Sequence, residues 1–447
     1  MKRIVISIVT LMLIVPQVVT AQDEMASRRE VLKFGTETEI AALLQALRGE
    51  ENDSLDAEIV ELADGTGNRA ILTVVFGFFG EREKPQLERR ALAALTDRLD
   101  EHADSVLAAI QYLGKIGSAS ALPVLGEVID GEDRRFLASA LRAFGRAAGR
   151  AGGSLADDAV TRLTEFDEGR NLDETTRREL IAALGDTGRA GAVGFLVEIA
   201  EDGGLNQFLR ISAMEALSAV GDSGGLQAVL GGVSSAEPLV RAAAVGALAP
   251  FSGAVVDEAI LLAFRDSHDP TRIAAAKASG ERKLASAVPF LRFRATRDEN
   301  QSVREQAIRA LGQIGGSEAT GIVKELFEDR LSPLRIRLVA AEVLLETGGG
   351  YFPDKLVEEM DEAKRRNSNA VYNGFLGILG KARSGGNLEA ITRRLLGESG
   401  TTERNTALTM AVNNNLRNLA PEIRAIAEGS NESLARRARI TLERMGL

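Results

Sequence analysis

The sequence predicts an all-α solenoid, an α-α superhelix of about 12–13 helix pairs, and three observations predict it. A unit of helix, glycine turn and helix recurs about every 33 residues. At that period each unit is one supersecondary element that buries its apolar face only by stacking on its neighbours. The prolines fall at the expected helix starts. Finally, the 447-residue chain has no Trp, three Tyr and 4% aromatic residues, while Ala and Leu supply most of its apolar side chains. Helices built this way approach closely through small residues, and 45% hydrophobic with 26% charged content is that of a folded chain with ample core.

The unit is clearest between Ser302 and Asp329. One apolar-periodic helix runs through Val303, Ala307, Ala310 and Leu311 to Gly312 and Gly315, and a second opens at Ala319 and continues through Leu326. Aligned on Gly312, the other units have anchors at Arg48, Gly80, Gly114, Gly145, Gly185, Gly221, Ala249, Gly280, Leu345, Gly380, Asn413 and Glu443. The longest gap, between Gly145 and Gly185, holds an inserted segment from Gly169 to Asp173.

Proline fits the first turn of a helix and disrupts its interior. Pro123, Pro289, Pro353 and Pro421 follow their anchors by eight or nine residues, where second helices should begin. Pro238, Pro270 and Pro333 precede theirs by ten to twelve, at the starts of first helices, and Pro85 precedes the helical run Leu87 to Leu99. Pro250 falls in a turn between helices. Alternating strands and helices are excluded by apolar residues at helical spacing, such as Ile211, Met214, Leu217 and Val220; strand-like runs such as Ile71 to Phe76 are few.

The unit thus reads Val-Arg-x-x-Ala-x-x-Ala-Leu-Gly-x-x-Gly followed by Ala-x-Pro-x-Leu. It resembles the short HEAT repeats, particularly their phycobilisome-lyase-like subset. The likeness is good over 302–329, recurs in Ala121 to Leu125, Ala287 to Leu291, Arg177 to Gly188, Arg210 to Gly224 and Pro238 to Leu248, and fades before Gly114 and after Leu345. The resemblance implies a HEAT solenoid that scaffolds and binds proteins, since most such chains do so and few are enzymes.

Two domains are expected: residues 1–21 as a signal peptide, and 22–447 as the solenoid. Lys2 and Arg3 precede an apolar run from Ile4 to Val15, then Pro16, then Val19-Thr20-Ala21 before Gln22. This charged start, apolar middle and small-residue ending is the pattern that export and cleavage require. An uncleaved anchor is the alternative, against which Pro16 and the Val-x-Ala ending argue. Removing the segment takes the net charge from −10 to −12, which disfavours phosphate-neutralising contact with nucleic acid. With no Cys the chain forms no disulfide and carries no cysteine-linked lipid. No later run is long enough to predict a second membrane span.

Several strings imitate chemical sites. Gly221-Asp222-Ser223-Gly224-Gly225 is identical to the motif around the nucleophilic serine of chymotrypsin-like proteases, but His102 and His268, the only histidines, lack that family's surroundings. The string occupies the same repeat turn as Gly185-Asp186-Thr187-Gly188. Asp100, Glu101, His102 and Asp104 are expected to form a solvated turn, as are His268 and Asp269. No His-Glu pair of the HEAT-like hydroxylases occurs, and the segment from Gly315 to Gly321 lacks the lysine of a phosphate loop. Gly348-Gly349-Gly350-Tyr351-Phe352, followed by a longer charged helix from Lys355 to Arg366, is the clearest departure from the repeat; a longer loop between units is expected there, with a hinge or an interaction bump as the alternative. An arginine recurs eight residues before the anchor at Arg177, Arg241, Arg272, Arg304 and Arg337. These are expected to pair with carboxylates of the preceding turn and tie adjacent units together.

The sequence therefore assigns no catalytic, cofactor or metal residue, expects no cofactor, and leaves the binding residues unassigned. The function it predicts is an exported scaffold, periplasmic or extracellular, that presents a concave surface lined by second helices to a protein or peptide partner. A lyase- or chaperone-like modifier of another protein is the alternative from the enzyme class. A structural envelope component tethered by the uncleaved N-terminal segment is the third reading.

Overall fold

The computed structural model describes residues 21–48, 53–168, 170–347, 352–383 and 388–447. The expected signal segment lies outside them apart from Ala21, as do Gly169 and the glycines at 348–350 with Tyr351. Among the described residues every regular element is a helix, 26 α-helices with short 3-10 turns between them. The helices cluster into two compact units, Met1–Tyr112 and Leu113–Leu447.

The first unit contains α1 (Ala21–Phe34), α2 (Glu37–Leu47), α3 (Asp56–Gly65), α4 (Arg69–Glu81), α5 (Glu88–Thr96) and most of α6 (Ala103–Ile116). The strand-like run Ile71 to Phe76 lies inside α4, where one helical face buries Leu72, Val75, Phe76 and Phe79. Here the core is aromatic. Tyr112 is fully buried against Phe76, with ring centroids 5.5 Å apart. Its hydroxyl donates to the Lys84 carbonyl at 2.8 Å and accepts from the Leu87 amide at 3.1 Å, which ties α6 to the turn after α4. Burial pushes the Tyr112 phenol up to about 12, so the group stays a neutral donor.

The second unit continues with α7 (Leu122–Asp130), α8 (Leu137–Ala151), α9 (Gly153–Asp167), α10 (Glu174–Asp186), α11 (Val193–Glu201), α12 (Gln207–Val220) and α13 (Leu226–Val233). Next come α14 (Pro238–Ala247), α15 (Ala254–Ala263), α16 (Asp269–Glu281), α17 (Val288–Arg297), α18 (Gln301–Ile314), α19 (Gly316–Glu328) and α20 (Leu334–Thr347). The charged segment after the glycines forms α21 (Phe352–Arg365), and the unit ends with α22 (Asn369–Leu379), α23 (Leu388–Gly397), α24 (Thr401–Asn413), α25 (Ala420–Ala427) and α26 (Glu432–Arg444). From α2 onward, even-numbered helices are the first helices of the repeat, and each anchor falls at or within two residues of the end of one, except Gly145, six residues before the end of α8. Prolines occupy the first turn of α7, α14, α16, α17 and α25, where a missing N–H costs nothing.

The anchor glycines do more than end helices. A Cβ built on Gly114 would sit 2.8 Å from Cα of Ala143, on Gly145 2.6 Å from Cα of Ala183, and on Gly185 2.8 Å from Cα of Ala216. Each glycine therefore marks a backbone-to-backbone approach between consecutive first helices. Gly221 differs: at φ +68° it is the left-handed C-cap of α12, its amide bonded to the Leu217 carbonyl. The residue in register with Gly185 is Ser218, because the buried Ala213, Ala216 and Leu217 before it repeat Leu180, Ala183 and Leu184. The anchor assigned to Gly221 is thus three residues late.

Candidate functional site

Register decides what the arginine column is. With the anchor moved to Ser218, Arg210 falls eight residues before it, in Arg-x-x-Ala-x-x-Ala-Leu-Ser. Ala407 and Leu408 likewise move the Asn413 anchor to Val412 and bring in Arg404. The side chains run along the turns that join one repeat to the next. Toward the preceding helix they donate to backbone carbonyls: Arg210 to Ala200, Arg304 to Ala295, and Arg337 to Phe327 at 2.8 Å. Such bonds satisfy carbonyls that a helix end leaves unpaired.

The carboxylate partners mostly lie on the other side from the one expected. Arg177 does reach back to Asp167 at 3.1 Å. Arg241, however, grips Asp266 with both Nε and Nη2 at 2.7 and 3.0 Å, and Arg272 grips Asp298 at 2.8 and 2.9 Å. Arg210 pairs forward with Glu237 at 2.6 Å and Arg337 with Glu359 at 2.9 Å. The reason is geometric: a guanidinium near the start of a first helix reaches the turn before it with one edge and the turn after its repeat with the other. Bidentate pairing of this kind is among the stronger polar contacts available to a protein. Burial raises the Asp298 pKa, and the hydrogen bonds from Arg272 and the Asn300 amide outweigh it, so the carboxyl ends below its ordinary range. Arg177, Arg210, Arg241, Arg272 and Arg337 are thereby committed to joining repeats and are not a surface for an acidic partner.

The strings that imitate catalytic or metal sites come apart. Asp222 accepts from the Gly224 amide at 2.8 Å and starts the 3-10 turn Ser223–Gly225; neither histidine bonds to Ser223. Glu101 pairs with Arg90 at 2.7 Å and Asp104 with Arg69 at 3.5 Å, while His102 Nε2 lies 3.0 Å from Arg69. His268 precedes α16 with Nδ1 3.2 Å from the Thr271 hydroxyl, and Asp269 bonds Arg272. Gly315 and Gly316, at φ +71° and +79°, form the turn between α18 and α19.

A groove in the second unit crosses the first helices α8, α10 and α12 where they approach most closely. It encloses about 190 Å³ over a floor that includes Ala182, Gly185, Ala216 and Ala219. Its charged walls include Arg142, Arg178, Glu179, Asp186 and Glu215. Arg142 and Arg146 both pair with Asp186, at 2.8 and 3.2 Å, and Arg178 bonds Ser212 at 3.4 Å. In the second helices a Cβ on Gly194, Gly231 or Gly321 would meet nothing within 4 Å, whereas one on Gly232 would press on the Met214 and Ala244 side chains of neighbouring first helices. Sequence reasoning missed Arg142, Arg178 and Glu215 because they occupy the variable positions of the repeat.

Among solved structures, the chain is similar to Kap121p, at 11% identity and TM-score 0.43, over 95% of this chain and 55% of Kap121p. It is similar to importin beta at 12% identity and TM-score 0.43, over 95% of this chain and 69% of that one. Human deoxyhypusine hydroxylase matches at 19% identity and TM-score 0.23, over 52% of this chain and 97% of the hydroxylase. At such scores and identities these likenesses carry no argument about function. No curated protein matches the chain. The model of the Spirochaete HEAT repeat proteins matches residues 32–441, nearly the whole of the described solenoid, and the chain therefore belongs to that family.

Proposed function

We propose that this protein is an exported, non-catalytic scaffold that holds a protein or peptide partner against the first-helix face of its second unit. The observation that carries this reading is the groove across α8, α10 and α12. Its small-residue floor leaves room for a chain to lie close to the helices, and arginines and carboxylates along its walls match the alternating donors and acceptors of a polypeptide. The buried arginine column explains the strongest sequence signal as internal joinery, which leaves this face to supply specificity. Export is supported by Lys2, Arg3, the apolar run and the Val-x-Ala ending before Gln22.

Crosslinking in the native cell, followed by identification of captured proteins, tests the reading. A saturable partner is expected, and charge reversal at Arg142→Glu with Arg178→Glu should weaken its capture by about tenfold. Unchanged capture by that variant would move the interface elsewhere, and the absence of any saturable partner in the envelope or secreted fraction would defeat the scaffold. N-terminal sequencing of the mature protein should begin at Gln22; a chain that retains Met1 would instead favour the tethered envelope component.

A further inference from the structure

Two arginines of the column, Arg304 and Arg404, have no acid partner among the described residues. Asp266 and Asp298, the bidentate partners of Arg241 and Arg272, each stand two residues before a helix N-cap, His268 and Asn300. The residue two before Asn431, the N-cap of α26, is Gly429. Arg404 occupies the matching rung and donates from Nε to the Glu398 carbonyl at 2.6 Å, as column arginines do. Among the described residues no carboxylate lies within ion-pair distance of it. Arg304 also lacks an acid partner, and the turns after both repeats carry an acid at the helix C-cap, Asp329 and Glu428, that pairs with neither arginine.

A Cβ on Gly429 would lie 3.1 Å from the Ile426 carbonyl, and the glycine borders an open space on its Arg404 side. Beside Arg404 opens a cleft of about 420 Å³ between α23, α25 and the start of α26. Leu396, Ile426 and Leu434 give it apolar walls, and Arg393 and Glu422 stand on its rim. The rim charges neutralise one another, with Arg393 on Glu422 at 2.8 Å and on Glu389 at 2.9 Å. The guanidinium of Arg404 keeps its two terminal nitrogens available.

We infer that this cleft binds a carboxylate carried next to an apolar side chain, supplied by the peptide partner in place of the acid that Gly429 lacks. The ligand class follows from Arg241 and Arg272, where the same guanidinium position takes a carboxylate in two-point contact. Both an acidic side chain and a chain terminus offer that chemistry. This inference rests on the reading of the protein as a holder of peptides and names a second contact for it.

The full chain is titrated with N-acetyl-leucine, which carries a terminal carboxylate, with N-acetyl-aspartate amide, which carries a side-chain one, and with neutral N-acetyl-leucinamide, by ligand-observed NMR. At least one acid is expected to bind about tenfold more tightly than the neutral amide, and the acid that binds identifies the source. Arg404→Gln should abolish that binding. Gly429→Asp supplies the missing carboxylate internally and should exclude the acids, while Gly429→Asn, which meets the Ile426 carbonyl equally closely but carries no charge, should exclude them less. Equal binding of acid and neutral amide, equally tight binding of inorganic phosphate, or undiminished acid binding by Gly429→Asp would overturn the site. The fragments require no partner protein, so a negative titration overturns this cleft alone, and partner capture by the groove is decided by its own experiment.

Discussion

Asp298 shows how much rests on single side chains in a stacked fold. Its carboxylate is 1% exposed and accepts from Arg272, Arg294 and the Asn300 amide. Asp298→Ala would take the shared carboxylate from two arginines, leaving Arg272 only its contacts with Asp269 and the Asp266 and Ser267 carbonyls, and a loss of about 3–5 kcal/mol is expected in denaturant unfolding. The same residue sets a pH dependence. Asp266 and Asp298 are both held below the ordinary carboxylate value in the folded state, so the unfolded chain takes up protons first as pH falls. Their stabilisation is complete above the unfolded value of about 4 and is lost as pH drops through the lower folded values. A melting temperature that stayed flat from pH 6 to below about 3 would contradict this assignment.

At the scale of the element, the glycines separate into two kinds that a sequence pattern does not distinguish. Gly145 lies where α8 meets α10, and an added methyl would press on the Ala183 backbone, so Gly145→Ala is expected to cost about 1–3 kcal/mol. Gly321, inside α19, has nothing within 4 Å of a Cβ. Gly321→Ala should stabilise by about 0.5–1 kcal/mol through the lower entropy of the unfolded chain. Paired urea curves would check both, and a stabilising Gly145→Ala would show that α8 and α10 are further apart than described. Asn300 joins elements in another way: its side chain caps α18 by accepting from Ser302 and Val303, and its Nδ2 donates to Asp269 at 2.6 Å. Asn300→Ala should cost about 1–2 kcal/mol.

For the whole molecule, neighbours carry the stability. In a repeat array each helix pair touches only the next, so a defect is felt locally before it is felt globally. Phe79 is fully buried in the first unit. Phe79→Ala, expected to cost about 3–5 kcal/mol, should speed hydrogen exchange in α4 and its neighbours while leaving α14 to α18 unchanged. Uniform loss of protection along the chain would instead mark one all-or-none unit.

Much of this fold was legible without coordinates. Periodic Ala, Leu and Gly at a spacing of about 33 residues determined an all-helical repeat, because an amphipathic helix pair of that length hides its apolar side only against another pair. The prolines fixed helix starts for the equally local reason that their rings exclude interior positions. Register at Gly221, by contrast, was misread, since a glycine required by a left-handed cap and one required by close packing are the same letter. The direction in which Arg241 and Arg272 pair, the aromatic core around Tyr112, the clustering into two units and the grouping of Arg142, Arg178 and Glu215 were settled only by tertiary structure. Each depends on which backbones come together across 25 or more residues of chain, and spacing along a sequence does not encode that distance in space.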